Sequence, residues 1–294
     1  MLNILITGAG GFLGSALAVK LFNSHHQVSL LVKRTSTLER LRGFEPKFLI
    51  GFTETNEEIT SFINHINPDI VIHTACSYGR KQEDILTIAD INIRLGLLIL
   101  NTISKLNKPT TFINTDTALN EDVNAYSLSK KQFSKWGKLS ASDPSKRIKF
   151  INVILQSAFG PNDDTSKLIP HVLESCNRNV PYLNLTTGEQ KRDFIYITDA
   201  ANAYMHIINN ISRIENFSDI DVGSGIAVSI QEAVKIITKL TRSKTELRFG
   251  VVPQRQSEPV LCVANTTYIR SLGWDPMYTL ESGLKKIIEA ENNK

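Results

Sequence analysis

Asn3-Ile4-Leu5-Ile6-Thr7-Gly8-Ala9-Gly10-Gly11-Phe12-Leu13-Gly14 runs without a break from an apolar strand into a glycine loop. Gly8, Gly11 and Gly14 stand three apart, G-x-x-G-x-x-G. Glycine is required where a strand-to-helix turn is tight, where backbone must approach a pyrophosphate, and where the helix packs close on the strand. The helix that follows would aim its free N–H groups and the positive end of its dipole at phosphate. A glycine spacing alone is weak, because a plain tight turn also satisfies it; its context carries the weight. Outward from this loop the chain alternates short apolar runs (VSLLVK, KFLIG, DIVIHTA, TFINT, RIKFINVIL) with helix-like segments (FLGSALAVKLFNS, EEITSFINHI, DILTIADINIRLGLLILNTISKL and Tyr126 to Leu139). That alternation predicts an α/β protein with a doubly wound parallel sheet, helices on both faces and a dinucleotide at the first loop.

The second half is less regular, punctuated by Pro161, Pro170, Pro181, Gly188, Gly223, Gly225 and Gly250. We expect a nucleotide-binding domain over 1–157 and a smaller C-terminal substrate-binding lobe over 158–294, with strands from about 194–225 returning to the main sheet. DFIYITDAANAYMHIINNI reads as a strand, an N-cap at Asp199 and a helix. A terminal helix is expected from Leu280 to about Glu289. The 294 residues suffice for a large core; 41% are hydrophobic, 21% are charged and the net charge is +4. Lys and Arg are scattered rather than striped, which argues against nucleic acid. Cys76, Cys176 and Cys262 form no CxxC, and the histidines no HxxxH or HxH, so neither a disulfide framework nor a metal is expected, and a reducing, cytoplasmic setting is. The N-terminal run is too short for a membrane span, and no later run is expected to be long and apolar enough for a membrane helix.

The end of the second strand reads on the cofactor. NAD sites commonly carry an acid there for the ribose 2′-hydroxyl. This chain has Val32-Lys33-Arg34-Thr35-Ser36 instead. Lys33 and Arg34 beside a hydroxyl cluster suit a 2′-phosphate, so NADP(H) is expected.

Tyr126 and Lys130 lie four apart on an expected helix and share a face. A neighbouring ammonium favours tyrosinate, so Lys130 is expected to lower the Tyr126 pKa and let the phenol exchange a proton with a substrate oxygen. A hydroxyl partner is expected at the end of the TFINT strand. Thr115 is the first choice and Thr117 the second, because the segment to Tyr126 is short.

At these residues the chain resembles the extended short-chain dehydrogenase/reductases, the NAD(P)-dependent nucleotide-sugar epimerase/dehydratase family with its Rossmann-type fold. HTACSYG, FGP at Phe159 to Pro161, GEQKRDFIYITDAANAY and LGWDP at Leu272 to Pro276 extend the likeness over nearly the whole chain. The resemblance implies cofactor contacts from Gly8, Gly11, Phe12, Leu13, Gly14, Lys33, Arg34, Ala75 and Asn92, and from Tyr126 and Lys130. It implies Thr115, Tyr126 and Lys130 as the catalytic set. Substrate contacts would come from Thr115, Asp116, Thr117 and Ser157, and from Arg192 and Arg255 on the diphosphate.

The family's 4,6-dehydratases carry Thr-Asp-Glu where this chain has Thr115-Asp116-Thr117, so dehydration is disfavoured. Asn114 to Thr117 followed by YSLSKKQF resembles the CDP-abequose and CDP-paratose synthases, which reduce a CDP-linked 4-keto-3,6-dideoxy sugar at C4. The expected function is therefore NADPH-dependent reduction at C4 of a nucleotide-linked 4-keto sugar. A 4-epimerase is the alternative, and a non-catalytic NADP-binding scaffold is less favoured. A homodimer is expected from the apolar helix at about 84–106 together with the Tyr126 helix.

Overall fold

A computed structural model describes residues 1–80, 82–254 and 257–292, and the chain divides into two compact units. The first holds Met1–Ile154 and Tyr204–Ile220. In chain order it contains β1 (Asn3–Thr7), α1 (Phe12–Asn23), β2 (Gln27–Val32), β3 (Leu49–Phe52), α2 (Asn56–Ile66), β4 (Ile70–His73), α3 (Ile85–Ala89), α4 (Leu95–Ile103), β5 (Thr110–Thr117), α5 (Ala125–Ala141) and β6 (Ile148–Leu155). A seven-stranded sheet runs β3-β2-β1-β4-β5-β6 and ends on the later strand Phe217–Val222. Pairings of β1 with β2 and β4, β2 with β3, and β4 with β5 are all parallel.

The strand order reverses between β1 and β4, and ligands of open α/β sheets bind at the carboxyl ends of strands beside such a reversal. The glycine loop leaves the end of β1 and Thr74-Ala75 leave the end of β4, so both meet at that point. Ile4, Leu5, Ile6, Val71 and Ile72 are buried, as strands covered on both faces require. On one face Phe112, Phe133 and Phe150 pack with Ile99, Leu100 and Ile103. α5 begins at a capping box in which the Asn124 side chain and Ser127 satisfy each other's backbone N–H. That cap puts Tyr126 in the first helical turn.

α3 and α4 form one helix, Ile85–Ile103, joined by a π-helical turn at Asp90–Arg94. At 19 residues and a mean hydropathy of 1.5 it is long and apolar enough to cross a membrane, contrary to expectation. Its C-terminal part packs into the core, where Ile99, Leu100 and Ile103 are buried, and Asn92 in the π turn is tied to Ser77 and Ser129.

The second unit holds Leu155–Ala203 and Asp221–Lys294. A small sheet is built around strand Lys191–Tyr196, which pairs with Ser157–Phe159, Ala227–Ser229 and Leu261–Cys262. This strand stays out of the large sheet, whereas Phe217–Val222 joins it, so the segment returning to the first unit is Tyr204–Ile220. Asp193 is fully buried at its centre and accepts the N–H groups of Ser224, Gly225 and Ala264 together with the Ser224 hydroxyl. Helix Ile197–Asn209 starts two residues before Asp199. The Asp199 carboxylate therefore does not cap that helix at its N-cap position; it accepts the N–H groups of Met277 and Tyr278.

Candidate active site

The glycines make a cradle that side chains would fill. Gly8 has φ +70°, and a Cβ there would lie 2.6 Å from the Ala75 nitrogen. A Cβ on Gly14 would run into the Gly8 carbonyl. α1 opens at Gly11 with no side-chain cap and no acid in its first turn, so no protein carboxylate competes for its N-terminal N–H groups. Phe12 and Leu13 form that turn. The residues present therefore fit a dinucleotide pyrophosphate.

At the end of β2 the Arg34 side chain lies over the Phe52 ring, 4.1 Å from its centroid, and pairs with Glu58 and Glu54. Its backbone N–H donates to Glu54 Oε1 at 2.6 Å. Acids absent from the β2 terminus in sequence are thus supplied by the β3–α2 segment. Lys33 is exposed. Arg40, which the sequence reading passed over, donates to the Gly10 carbonyl at 3.2 Å, and Gly10 in turn lies against the Thr37 carbonyl. A second guanidinium thereby stands at the glycine loop.

At the end of β5 the two candidate hydroxyls part. The Thr115 hydroxyl is hydrogen-bonded at 2.7 Å to the phenol of Tyr204, a fully buried residue. The Thr117 hydroxyl accepts the Leu119 N–H at 3.2 Å, and Thr117 pulls the Tyr126 pKa down against the larger effect of burial. Side chains of successive strand residues alternate, so Thr115 and Thr117 leave β5 on one side, and the earlier one is held against Tyr204. The Thr115 hydroxyl, the first choice for the partner hydroxyl, is thus engaged by Tyr204 in this structure.

Lys130, 1% exposed, shares the helix face of Tyr126. The expected lowering of the Tyr126 pKa by Lys130 does not prevail. Burial holds the phenol well above its ordinary value, Cys76 and Asp116 push the same way, and Thr117 and Arg80 oppose them. Burial lowers the Lys130 ammonium, against Cys76 and Asp116. The Tyr78 ring packs on Tyr126 with centroids 4.8 Å apart, and Arg80 sits 5.0 Å over Tyr78. His73 is fully buried; its Nδ1 is 2.8 Å from the Thr7 hydroxyl, and burial together with the Lys130 charge holds it neutral, well below its ordinary pKa. Cys76, Tyr78 and Arg80 follow β4 in sequence, so only their arrival at Tyr126, not their residue types, marks them as part of the site.

Asp116, expected to touch substrate, is spent internally. It is 3% exposed; Oδ1 accepts the Thr117 N–H at 2.7 Å, and Oδ2 accepts from Lys131 at 3.1 Å and Asn152 at 3.0 Å. Asn92 is also occupied. It accepts the Ser77 N–H at 2.7 Å and donates to the Ser77 carbonyl and the Ser129 hydroxyl, each at 2.9 Å. It shapes the loop after β4 rather than offering its amide to a ligand. Ala75 meets the glycine loop directly, through the close approach to Gly8.

In the second unit Ser157 pairs with Phe194, two residues along the strand from Arg192. Arg192 is held in place by the protein itself: it donates to Glu258 at 2.7 Å and to the carbonyls of Lys191 and Pro259, each at 2.8 Å. Its expected diphosphate contact would require exchanging the Glu258 carboxylate for phosphate oxygens. Arg255 lies outside the described residues.

Residues 4–223 match the model of the NAD dependent epimerase/dehydratase family. The CDP-abequose synthase of Salmonella typhimurium is 27% identical, covering 97% of each chain; that of Salmonella muenchen is 29% identical, covering 97% of this chain and 96% of its own. Among solved structures, the UDP-glucose 4-epimerase of Thermotoga maritima, determined with UDP-glucose, superposes with a TM-score of 0.85 at 20% identity over 99% of this chain and 98% of that one. With a glycine loop at the strand-order reversal, and Tyr126 and Lys130 on one face of α5, the chain belongs to the NAD dependent epimerase/dehydratase family, the extended short-chain dehydrogenase/reductases.

Proposed function

We propose that the protein reduces the C4 ketone of a nucleotide-linked 4-keto-deoxy sugar, with NADPH as reductant and a CDP-linked 4-keto-3,6-dideoxy sugar as the favoured substrate. The observation that carries this reading is that Asp116, the carboxylate acting on Tyr126, is taken up by Lys131, Asn152 and the Thr117 N–H. A dehydratase needs free carboxyl groups to move protons and water. A reductase needs one proton donor, and Tyr126 supplies a phenol on the same helix face as the buried Lys130. The full-length similarity to CDP-abequose synthases supports the same chemistry.

In this reading Gly8, Gly11, Phe12, Leu13, Gly14 and Ala75 would hold the dinucleotide, and Lys33 and Arg34 would face its adenosine ribose. Bound there, the nicotinamide supplies hydride. Thr117 donates a hydrogen bond to the substrate carbonyl, Tyr126 gives its proton to the oxygen as negative charge develops, and Lys130 orients the phenol and the ribose hydroxyls. Ser157, Arg192 and Arg255 serve the nucleotide diphosphate. Two copies associate through the exposed apolar residues of α3 and α5, namely Ile85, Leu86, Trp136 and Leu139.

A 4-epimerase is the second reading. It is favoured by the Glu54 and Glu58 carboxylates on Arg34, which weaken the case for a 2′-phosphate. Incubation with NADPH and a CDP-4-keto-3,6-dideoxy sugar separates the two. Stoichiometric NADPH oxidation with reduction at C4 is expected. Interconversion of two sugars with no net oxidation, or no turnover across CDP-, dTDP-, UDP- and GDP-linked 4-keto sugars, refutes the reductase.

A further inference from the structure

Lys131 follows Lys130 in sequence, and the roles given to Thr117, Tyr126 and Lys130 leave it unused. One residue on from Lys130 turns a helical side chain by about 100°, so Lys131 departs from the Tyr126–Lys130 face and meets the end of β5. Its Nζ donates to the Thr117 carbonyl at 2.6 Å and to Asp116 Oδ2 at 3.1 Å. Asp116 Oδ1 accepts the N–H of the same Thr117 at 2.7 Å. Both backbone polar groups of Thr117 are therefore gripped by one ion pair, anchored on α5 at one end and on β5 at the other.

The pair is itself braced. Asn152 on β6 donates to Asp116 Oδ2 at 3.0 Å and to Asp219 at 2.7 Å, and accepts from Asn114 at 2.8 Å. A buried carboxylate is tolerated only when such partners satisfy it, and the loss of one partner leaves an uncompensated charge. Thr117 is the last residue of its strand, and acid–base geometry tolerates little misplacement there. These bonds make one polar network whose common target is the backbone of Thr117.

We infer that Lys131 is a positioning residue, which with Asp116 clamps the end of β5 to α5 and fixes the Thr117 hydroxyl against Tyr126. The inference rests on the reading in which Thr117 and Tyr126 act on the substrate carbonyl. Its role is exerted through Thr117, so its effect depends on a hydroxyl being there to position.

The test is a cycle of Lys131→Met and Thr117→Ala, with Lys131→Arg as the conservative variant. Lys131→Met is expected to lower kcat by about 10- to 100-fold, the scale for a misplacement on the order of 1 Å, with a much smaller change in the KM for the nucleotide sugar. Lys131→Arg restores most of the loss. In the Thr117→Ala background the same Lys131→Met change should cost no more than about twofold, because coupled residues are non-additive. An equal loss in both backgrounds, or a change confined to KM, overturns the inference. If Lys131→Met does not fold, as judged by thermal unfolding and cofactor binding, Lys131→Met with Asp116→Asn leaves no unpaired carboxylate at the clamp and takes its place. A crystal structure of the variant decides independently of substrate: the Thr117 hydroxyl should have moved away from Tyr126, and an unmoved hydroxyl refutes the clamp. Absence of turnover by the wild type with any 4-keto sugar would fail the functional reading while this structural comparison still decides the inference.

Discussion

Replacing Thr115 and Thr117 by alanine, one at a time, should damage two different properties of the protein. The Thr115 hydroxyl is 2.7 Å from the phenol of Tyr204, which has no exposure to solvent. Thr115→Ala strips this phenol of that hydrogen bond in a place water does not reach. A buried polar group left unsatisfied costs about 1–3 kcal/mol, and the burial of Tyr204 that raises its pKa is the same environment that makes the loss expensive. Thr117→Ala removes a hydroxyl at a strand end, where the lost internal partners are the Tyr126 phenol and the Leu119 N–H at 3.2 Å. Its cost falls on the transition state instead: one lost donor to a developing oxyanion is worth about 10²-fold in kcat, roughly 2.7 kcal/mol. Urea unfolding and steady-state NADPH oxidation, measured on both variants, read out the two effects. Thr115→Ala should lose about 1–3 kcal/mol of stability while keeping kcat within a few-fold, and Thr117→Ala should show the reverse pattern. A Thr115→Ala enzyme that is stable but inactive, beside an active Thr117→Ala enzyme, would refute the assignment of roles drawn from the end of β5.

Tyr126→Phe should retain cofactor affinity, measured by fluorescence titration, and lose about 10²-fold or more in kcat, since only proton donation is removed. His73 gives a pH effect on stability. Its folded pKa lies below the unfolded value of about 6.5, so its contribution is complete above that pH and is lost as pH falls toward the folded pKa, where the unfolded chain takes up a proton the folded one refuses. The decline in Tm from pH 7 to 5 should therefore be shallower in His73→Gln, and an unchanged slope would count against a buried neutral imidazole. Gly137→Ala should destabilise by about 1–3 kcal/mol in denaturant melts, because the new Cβ collides with the Phe150 ring and overpacking outweighs the gain in helix propensity. Trp136→Glu with Leu139→Glu should turn a dimer into a monomer by light scattering; a wild type that is already monomeric at micromolar concentration sinks the proposed association.

The parallel sheet and its cofactor cradle were legible because they depend on local rules. Apolar runs of strand length, helix-like segments between them, and a glycine spacing at the first turn are properties of consecutive residues. Tyr126 and Lys130 were legible for the same reason: four residues of helix bring them to one face whatever surrounds them. What a side chain does with its polar atoms is a different kind of question, decided by residues far away in sequence. Thr115 and Thr117 are equivalent in a strand pattern, and only Tyr204, 89 residues beyond Thr115, separates them. Asp116 looks like a substrate ligand until Lys131 and Asn152 close on it. Arg34 reads as a free cation until the β3–α2 segment delivers Glu54 and Glu58. The same holds for the sign of the Tyr126 shift, which a neighbouring Lys alone would set downward and burial sets upward. Periodicity and turn chemistry are written along the chain, so the sequence by itself determined the layers and the loop. Desolvation and pairing arise only when distant segments exclude water together, so the tertiary structure decided which charges are spent, that the Thr115 hydroxyl meets Tyr204, and in which direction burial moves the Tyr126 pKa.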